Sequence, residues 1–206
     1  MFRNQSTKGF TIVELLFAMS FLSVLLIIAM VSSISIMRTY NKGLVLKQVN
    51  QSGRAIGAEL QRSLKSAQPP LEDTTVSKGR LCIGTYSYVW SVGGQDPYVY
   101  DDGSQVGFAK VNDATRAMCA TGVRPVVPKA DAIEMLGGDA ASISVQNAEL
   151  SAPPANNGYY LYTFTFTIGT ADKTLLNDER SACAANGEQQ FCALNRFTIT
   201  ASAKGV

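Results

Sequence analysis

The sequence predicts an α+β protein in which one long N-terminal helix packs against an antiparallel β-sheet. Three patterns support this fold class: an unbroken apolar run at residues 10–37, an amphipathic helical pattern at residues 38–68, and short period-two runs through residues 69–206. A chain of 206 residues can form one globular domain of ordinary size plus an appended element. The apolar run supplies that element.

The apolar run reads FTIVELLFAMSFLSVLLIIAMVSSISIM and contains one charged residue, Glu14. About 20 apolar residues in a helix suffice to cross a bilayer, so we expect a single membrane span. Arg3 and Lys8 precede the run, and positive residues favour the cytoplasmic side, which places the rest of the chain outside. A cleaved secretory signal has an apolar core of only about 7–15 residues, so a retained anchor is the better interpretation.

Glu14 is unusual because a carboxylate at bilayer depth is costly and is seldom present without a function or a partner. The apolar run offers no lysine, arginine or histidine beside it, so a partner must come from elsewhere. The alternative is that Glu14, four residues from the edge of the run, merely lies in the headgroup region. Position alone leaves both interpretations open.

The residues around Glu14 resemble a known processing site. Lys8-Gly9-Phe10-Thr11-Ile12-Val13-Glu14 is similar to the cleavage site of type IV prepilins, which has a short basic leader, a glycine, and a phenylalanine that opens an apolar helix with glutamate at its fifth position. The similarity continues through Leu15 and Leu16. Residues 51–67 also resemble, more loosely, the same region of larger minor pilins. The resemblance implies a pilin-like fold in which the long helix is the spine.

The resemblance implies a role for each of three residues. Gly9 precedes the bond that prepilin peptidase cuts, so residues 1–9 are a leader. Phe10 becomes the new, N-methylated N-terminus, and Glu14 pairs with the N-terminal amine of a neighbouring subunit. Two opposite charges that are each costly in lipid offset each other when subunits stack in register. The implied partners are other pilin subunits, the peptidase, the membrane and the pilus assembly platform.

One feature departs from the pattern of many major pilins, which carry a helix-breaking proline some way past the cut. This chain has no proline between Gly9 and Gln68, and Ser32, Ser33 and Ser35 stand in that region instead. Local melting of the helix in a filament is therefore less expected here.

Beyond Met37 the pattern becomes amphipathic, and residues 38–68 are expected to continue the spine. Its apolar stripe recurs at steps of three and four: Leu46, Val49, Gly53, Ile56, Leu60 and Leu64. The charged residues, Glu59 among them, are expected to point elsewhere. Pro69-Pro70 ends the helix, which then runs from Phe10 to about Ala67. A simple stalk or coiled coil is the alternative, although the heptads are few.

Residues 69–206 are predicted to form an extracytoplasmic, β-rich domain. Alternation predicts a strand beginning near Arg80 that carries Tyr86, Tyr88 and Trp90 on one face, and further strands at Ser142–Leu150, Tyr159–Ile168 and Arg196–Ala203. Turns are expected at Gly93-Gly94, Asp101-Asp102-Gly103 and Asn156-Asn157-Gly158. A short helical turn is predicted near Ala130–Leu136, closed by Gly137-Gly138. Antiparallel pairing follows because no long helix separates the last three strands.

Four cysteines lie in this domain, at positions 82, 119, 183 and 192. An even count outside the cytosol suits disulfides. Of the three possible pairings we favour the sequential one, Cys82–Cys119 and Cys183–Cys192, because Asn186-Gly187 is a turn signal inside the second loop. Free buried thiols are the alternative.

Few residues suggest chemistry. The chain has no histidine, which removes the commonest general base and zinc ligand, and its formal net charge of +2 gives no basic footprint for nucleic acid. Asp96, Asp101 and Asp102 cluster beside Gly103, but their spacing does not fit a calcium loop, so a solvated turn is favoured. Tyr98 and Tyr100, with the three aromatic residues near Arg80, could line a binding surface, although packing explains them more simply. We expect no enzyme, cofactor or metal.

Three functions fit these observations. The first is a structural subunit of a type IV pilus, a minor pilin by its length and cysteines, which is single-pass in the cytoplasmic membrane before assembly and extracellular afterwards. The second is a pseudopilin of a type II secretion or DNA-uptake system, with the same processing site. The third is a membrane-tethered binding module or adhesin that never polymerises, for which Glu14 is dispensable.

Overall fold

A computed structural model describes residues 9, 11–66, 78–93, 97–119, 124–136, 143–151, 159–186 and 188–204. The chain divides into two compact units, Met1–Asn41 and Lys42–Val206. Helix α1, Ile12–Lys65, is continuous and runs through both. In the part of the chain that the structure describes, seven strands, all in the second unit, form two antiparallel sheets. An α+β fold with one long N-terminal helix and antiparallel sheets is therefore confirmed.

Helix α1 begins and ends close to the predicted bounds. The Thr11 hydroxyl accepts a hydrogen bond from the Glu14 backbone N–H at 3.3 Å, which satisfies one of the free donors of the first turn. Arg62 and Lys65 lie in the last turn, where positive charge opposes the negative end of the helix dipole. Phe10, Ala67 and Pro69-Pro70 lie outside the described residues.

The first sheet contains β1 (Arg80–Ile83), β2 (Tyr86–Trp90), β3 (Phe108–Asn112) and β4 (Ala132–Glu134), in that spatial order. The prediction of one strand from near Arg80 was wrong in detail. The chain reverses at Gly84, which has a φ of +60°, and this turn makes a hairpin of β1 and β2.

The predicted helical turn at Ala130–Leu136 was also wrong over most of its length. A 3-10 turn covers only Lys129–Asp131, and the following residues form β4, which pairs antiparallel with β3. The pairing satisfies backbone groups that a single isolated helical turn leaves free. Gly137-Gly138 lies outside the described residues.

The second sheet consists of β5 (Ile143–Ser151), β6 (Tyr159–Thr170) and β7 (Leu194–Lys204), with β6 in the centre. All three strands were predicted to within two residues at each end. Their pairing is antiparallel throughout, and β5 carries a register shift between Val145 and Asn147. The expectation of a single sheet was wrong: among the described residues, a single parallel bridge between Val92 and Val145 is the backbone pairing that joins β1–β4 to β5–β7.

The C-terminal part of α1 packs into the main hydrophobic core. Its fully buried side chains contact residues of both sheets, and the described helix residues in this cluster are Val49, Ile56, Leu60 and Leu64. These four belong to the predicted stripe, which is confirmed. Trp90 stacks on Phe108 with ring centroids 5.2 Å apart and meets Phe164 edge-on at 6.0 Å, so this aromatic group joins the two sheets.

The prediction that Glu59 points away from the core was wrong. Its side chain is only 17% exposed and lies 2.6 Å from the Lys110 ammonium group of β3. Ser52, Ile56, Glu59 and Ser63 follow at steps of four, three and four, which is the spacing of one helix face. This spacing is visible in the sequence and indicates that Glu59 faces the protein, but its charge favoured a position in solvent.

Alanine substitutions at two glycines of α1 are expected to change the free energy of unfolding in opposite directions. A Cβ at Gly43 meets nothing within 4 Å, whereas one at Gly53 meets the ring of Phe197, which itself stacks on Phe166. Replacing a helical glycine by alanine gains up to about 1 kcal/mol, and overpacking a core costs about 1–3 kcal/mol. We therefore expect Gly43→Ala to raise the free energy of unfolding and Gly53→Ala to lower it.

Urea unfolding of the full chain in detergent, followed by the fluorescence of the single tryptophan, Trp90, measures both variants. The two glycines lie in the same helix, so each variant is the control for the other. A stabilised Gly53→Ala variant would contradict the close packing of α1 on β7.

Candidate functional site

The candidate site is the first part of α1, where the resemblance placed the processing and assembly residues. Gly9 is exposed, and a Cβ built on it meets no atom within 4 Å. Glu14 lies three residues after the capping residue Thr11, the spacing of a capping box, and a carboxylate in the first helical turn is favoured by the helix dipole. Phe10 lies between them in the chain but outside the described residues.

The Glu14 carboxylate has no hydrogen-bond or ion-pair partner among the residues that the structure describes, and the side chain is exposed. Within the helix, the carboxylate of Glu14 interacts favourably with the positive end of the helix dipole in the first turn. Within the described part of the chain, the charge of Glu14 is thus not neutralised by another side chain.

The helix after Glu14 presents an apolar surface on every side. Its large side chains are 46–80% exposed from Ile12 to Tyr40, and none of the residues from 11 to 40 is buried. Leu25 is 46% exposed and Phe17 is 71% exposed. Monomeric soluble proteins rarely expose a contiguous apolar surface of this extent, so this surface requires a cover of lipid or protein.

Most hydroxyl groups of this segment form hydrogen bonds inside the helix. Four serines and one threonine donate to backbone carbonyl groups three or four residues earlier, at 2.8–3.0 Å; they are Ser20, Ser23, Ser32, Ser33 and Thr39. Such bonds hide the polarity of a hydroxyl from an apolar environment. These side chains therefore do not oppose burial of the segment in lipid.

The segment also has the length and composition of a membrane span. Its most apolar stretch of 18 residues has a mean hydropathy of 2.6, and none of that stretch is buried within the protein. The core helix of a soluble protein can be equally apolar, but it is mostly buried. The N-terminal helix is thus long and apolar enough to be a membrane anchor.

The second unit holds several partly buried charges, and the largest group surrounds Glu59. Its carboxylate accepts hydrogen bonds from Lys110 at 2.6 Å and from Arg62 at 2.7 Å. The bond from Lys110 lowers the pKa of Glu59 despite the opposing effect of burial. Tyr88 lies 2.6 Å from the hydroxyl of Ser63, and burial raises the pKa of Tyr88 to about 12. This network ties α1 to the first sheet.

Two further carboxylates stabilise loops by accepting backbone hydrogen bonds. Asp113 is buried and accepts from the hydroxyl of Ser87 at 2.8 Å and from the N–H groups of Ala117 and Met118 at 2.8 and 2.9 Å. Glu134 accepts from four backbone N–H groups and from the hydroxyl of Tyr100. Because hydrogen bonds from the protein occupy both carboxylates, we interpret both as structural groups. The sequence analysis missed both. Some of the donors follow closely in the chain, but the Ser87 hydroxyl for Asp113 and the Tyr100 hydroxyl for Glu134 lie 26 and 34 residues earlier, which no local pattern shows.

The disulfide pairing agrees with the prediction. Cys82 pairs with Cys119 and Cys183 with Cys192, with Cα–Cα distances of 6.2 and 5.9 Å. The first joins β1 to the short 3-10 turn Ala117–Cys119, and the second closes the loop before β7. Gly187, the second residue of the turn signal in that loop, lies outside the described residues.

The predicted turn at Asp101-Asp102-Gly103 is confirmed, with the Tyr100 backbone N–H donating to the Ser104 carbonyl at 2.8 Å. Asp102 forms an ion pair with Lys129, and the hydrogen bonds from Lys129 and Ser104 hold the pKa of Asp102 well below its usual range. Asp96 lies outside the described residues.

The aromatic residues that could have lined a binding surface lie mainly in the cores. Tyr88, Trp90, Tyr98 and Tyr100 are buried, whereas Tyr86 is 41% exposed and its ring lies 4.0 Å from the Lys110 ammonium group. Packing therefore accounts for four of the five, as the sequence analysis favoured.

A further candidate is a shallow surface groove between the 3-10 turn Lys173–Leu175 and the second disulfide loop. It is about 440 Å³ in volume and is lined by Asp172, Thr174, Leu175, Asn186, Glu188 and Phe191. The Asp172 carboxylate already accepts two hydrogen bonds from Thr174, so it caps the turn. The first part of α1 remains the strongest candidate site. Comparisons of this chain with family models, curated proteins and solved structures find no match.

Proposed function

We propose that this chain is a structural subunit of a type IV pilus, cut after Gly9 by prepilin peptidase and assembled into the filament through its N-terminal helix. The observation that carries the proposal is the exposed Glu14 carboxylate, which opens a fully exposed apolar helix directly behind the Gly9-Phe10 sequence. The partners are other pilin subunits, the peptidase, the membrane and the pilus assembly platform. The length of the chain and its two disulfides favour a minor subunit.

The proposal accounts for the charge. Cleavage after Gly9 creates a positively charged amine at Phe10, four residues before Glu14. In a stack of helices staggered along one axis, the amine of one chain can approach the carboxylate of the next. Opposite charges attract strongly where water is excluded, so this pairing favours the stack over separate chains.

The proposal also accounts for the apolar surface. Before assembly lipid covers the helix, and in a filament the helices of neighbouring subunits take its place. The second unit is a compact α+β domain with its own core, and α1 continues into it without a break. This arrangement supports a pilin-like subunit, in which one helix both anchors the chain and forms the spine of the outer domain.

Mass spectrometry of the mature protein tests the proposal. We expect a chain that begins at Phe10 and carries one additional methyl group at its N-terminus. A Gly9→Val variant is expected to retain residues 1–9, because a side chain beside the cleaved bond hinders the approach of the peptidase. That side chain has free space around it in the structure, so the variant is expected to fold normally.

Electron microscopy of surface filaments, with and without the chain, is the companion measurement. A minor subunit is expected to change the number or length of filaments on the cell surface. Recovery of the wild-type protein with Met1 intact would contradict the proposed processing, and with it the proposed function.

A further inference from the structure

We propose that in the single, unassembled chain Glu14 lies in the headgroup layer on the leader side of the membrane, and that the uncharged segment Leu15–Met37 spans the hydrocarbon by itself. This inference rests on the membrane anchorage that the proposed function includes. It concerns the depth of the helix, which the resemblance to prepilins does not specify. It also makes lipid headgroups and water the surroundings of Glu14 before assembly.

The uncharged part of the helix is long enough to span the hydrocarbon core without Glu14. Leu15–Met37 contains 23 residues without a charged side chain, and α1 is continuous over all of them. At 1.5 Å per residue the segment is about 35 Å long. The hydrocarbon core of a bilayer is about 30 Å thick, and membrane helices tilt by about 20° on average. The segment therefore spans the core without drawing Glu14 into it.

The residues just beyond the outer end of the segment set the point at which the helix leaves the hydrocarbon. Arg38 is the first charged residue after Met37, and Tyr40 and Lys42 follow within one turn. Arginine and lysine are costly in hydrocarbon, and tyrosine favours the interface, so these residues hold the outer boundary near Met37. About 20 residues back along the helix lies Ala18, where the inner boundary falls. Glu14 is four residues, or about 6 Å, beyond that boundary.

The inner end has its own charges. Arg3 and Lys8 precede Glu14 in the uncleaved chain, and both favour the headgroup layer on the leader side. Within the span, four of the five serine hydroxyl groups donate to carbonyl groups of the same helix, so these four exert little pull on its depth. The charged residues at both ends of the helix, with Tyr40 at the outer end, thus favour the same depth of the helix in the membrane.

This position changes the role of the carboxylate. Glu14 has no need of a countercharge while the chain rests in the membrane, because water and headgroups surround it. The charge opposes outward movement, since a shift of more than one turn draws it into hydrocarbon. The amine of a neighbouring subunit removes that opposition. Pairing is therefore required at the step when the subunit leaves the membrane.

A cysteine scan tests the depth of the helix. All four native cysteines form disulfides, so an introduced cysteine is the only free thiol. Val13→Cys, Leu25→Cys and Lys42→Cys leave Glu14 intact, and Ser202→Cys, on the exposed face of β7, is the reference. Each full-length variant is placed in phosphatidylcholine vesicles at low protein density and made accessible from both sides by a pore-forming toxin. The rate of labelling by a membrane-impermeant maleimide is then measured.

We expect Val13→Cys and Lys42→Cys to react within about threefold of the reference, and Leu25→Cys to react at least about tenfold more slowly, because charged reagents do not enter hydrocarbon. If Val13→Cys is as slow as Leu25→Cys, Glu14 is drawn into lipid and the inference is overturned, while membrane anchorage stands. If all positions react at the rate of the reference, the helix does not span the membrane, and the proposed function fails together with the inference.

Discussion

Replacing Glu14 by glutamine is expected to remove the chain from filaments while leaving it folded, inserted and cut. Glutamine keeps the size of the side chain and its hydrogen-bonding groups but has no charge for the N-terminal amine of a neighbouring subunit. That amine then enters the water-free filament core unpaired, which is costly. We expect the amount of subunit in sheared filaments to fall by at least about tenfold, a factor that corresponds to only about 1.4 kcal/mol.

Immunoblots of the sheared and membrane fractions measure this effect, and mass spectrometry of the membrane fraction shows whether cleavage continues. Glu14→Asp keeps the charge on a shorter side chain and is expected to restore part of the incorporation. Glu179→Gln removes an exposed carboxylate from a distant loop and is expected to have no effect. Normal incorporation of Glu14→Gln would contradict the assembly role and favour a tethered binding module.

Replacing Lys110 by methionine is expected to lower the free energy of unfolding of the second unit substantially. The ammonium group of Lys110 lies 2.6 Å from Glu59, and both side chains are about four-fifths buried. Removing one partner of a fully buried ion pair leaves the other charge without compensation, which costs about 3–5 kcal/mol. This pair is only partly buried and Arg62 still contacts Glu59 from the solvent side, so we expect a smaller loss of about 2 kcal/mol.

Unfolding in urea measures this loss, and two further variants separate the effect of the ion pair from general effects. Lys129→Met breaks the exposed pair with Asp102 and is expected to leave the unfolding midpoint nearly unchanged. Glu59→Leu combined with Lys110→Met removes both charges and is expected to recover most of the stability. A loss of similar size in Lys129→Met would contradict the importance of burial.

The same ion pair predicts the direction of the pH dependence. The pKa of Glu59 is lower in the folded protein than its ordinary value of 4.5. Its contribution to stability is therefore fully present above pH 4.5 and is lost as the pH falls through the folded pKa. The wild-type protein is expected to lose stability in this range more steeply than the doubly substituted protein, which lacks the titrating group.

The long elements of the fold could be predicted because their patterns are local. The period of three and four residues in α1 and the alternation in β6 are visible in the sequence, and the structure confirms both. The disulfide pairing was also predicted, with the help of the short second loop. The structure places Glu14 on an exposed helix end, but its role in assembly stays a prediction.

The short elements could not be predicted in the same way. β4 has only three residues, too few to show a period, and it exists because β3 offers a free edge. The split into two sheets depends on how β5 aligns beyond the end of β2, which is a property of distant segments. Glu59 is drawn into the interior because Lys110, 51 residues later, lies opposite it.

The sequence by itself determined the long helix, its apolar first part with a single carboxylate, and the central strand of the second sheet. Each of these depends on neighbours a few residues apart, where side-chain spacing and composition decide the outcome. Only the tertiary structure decided which charges are buried, where short strands pair and how many sheets form. These features depend on contacts between segments far apart in the chain, whose energies no local pattern contains.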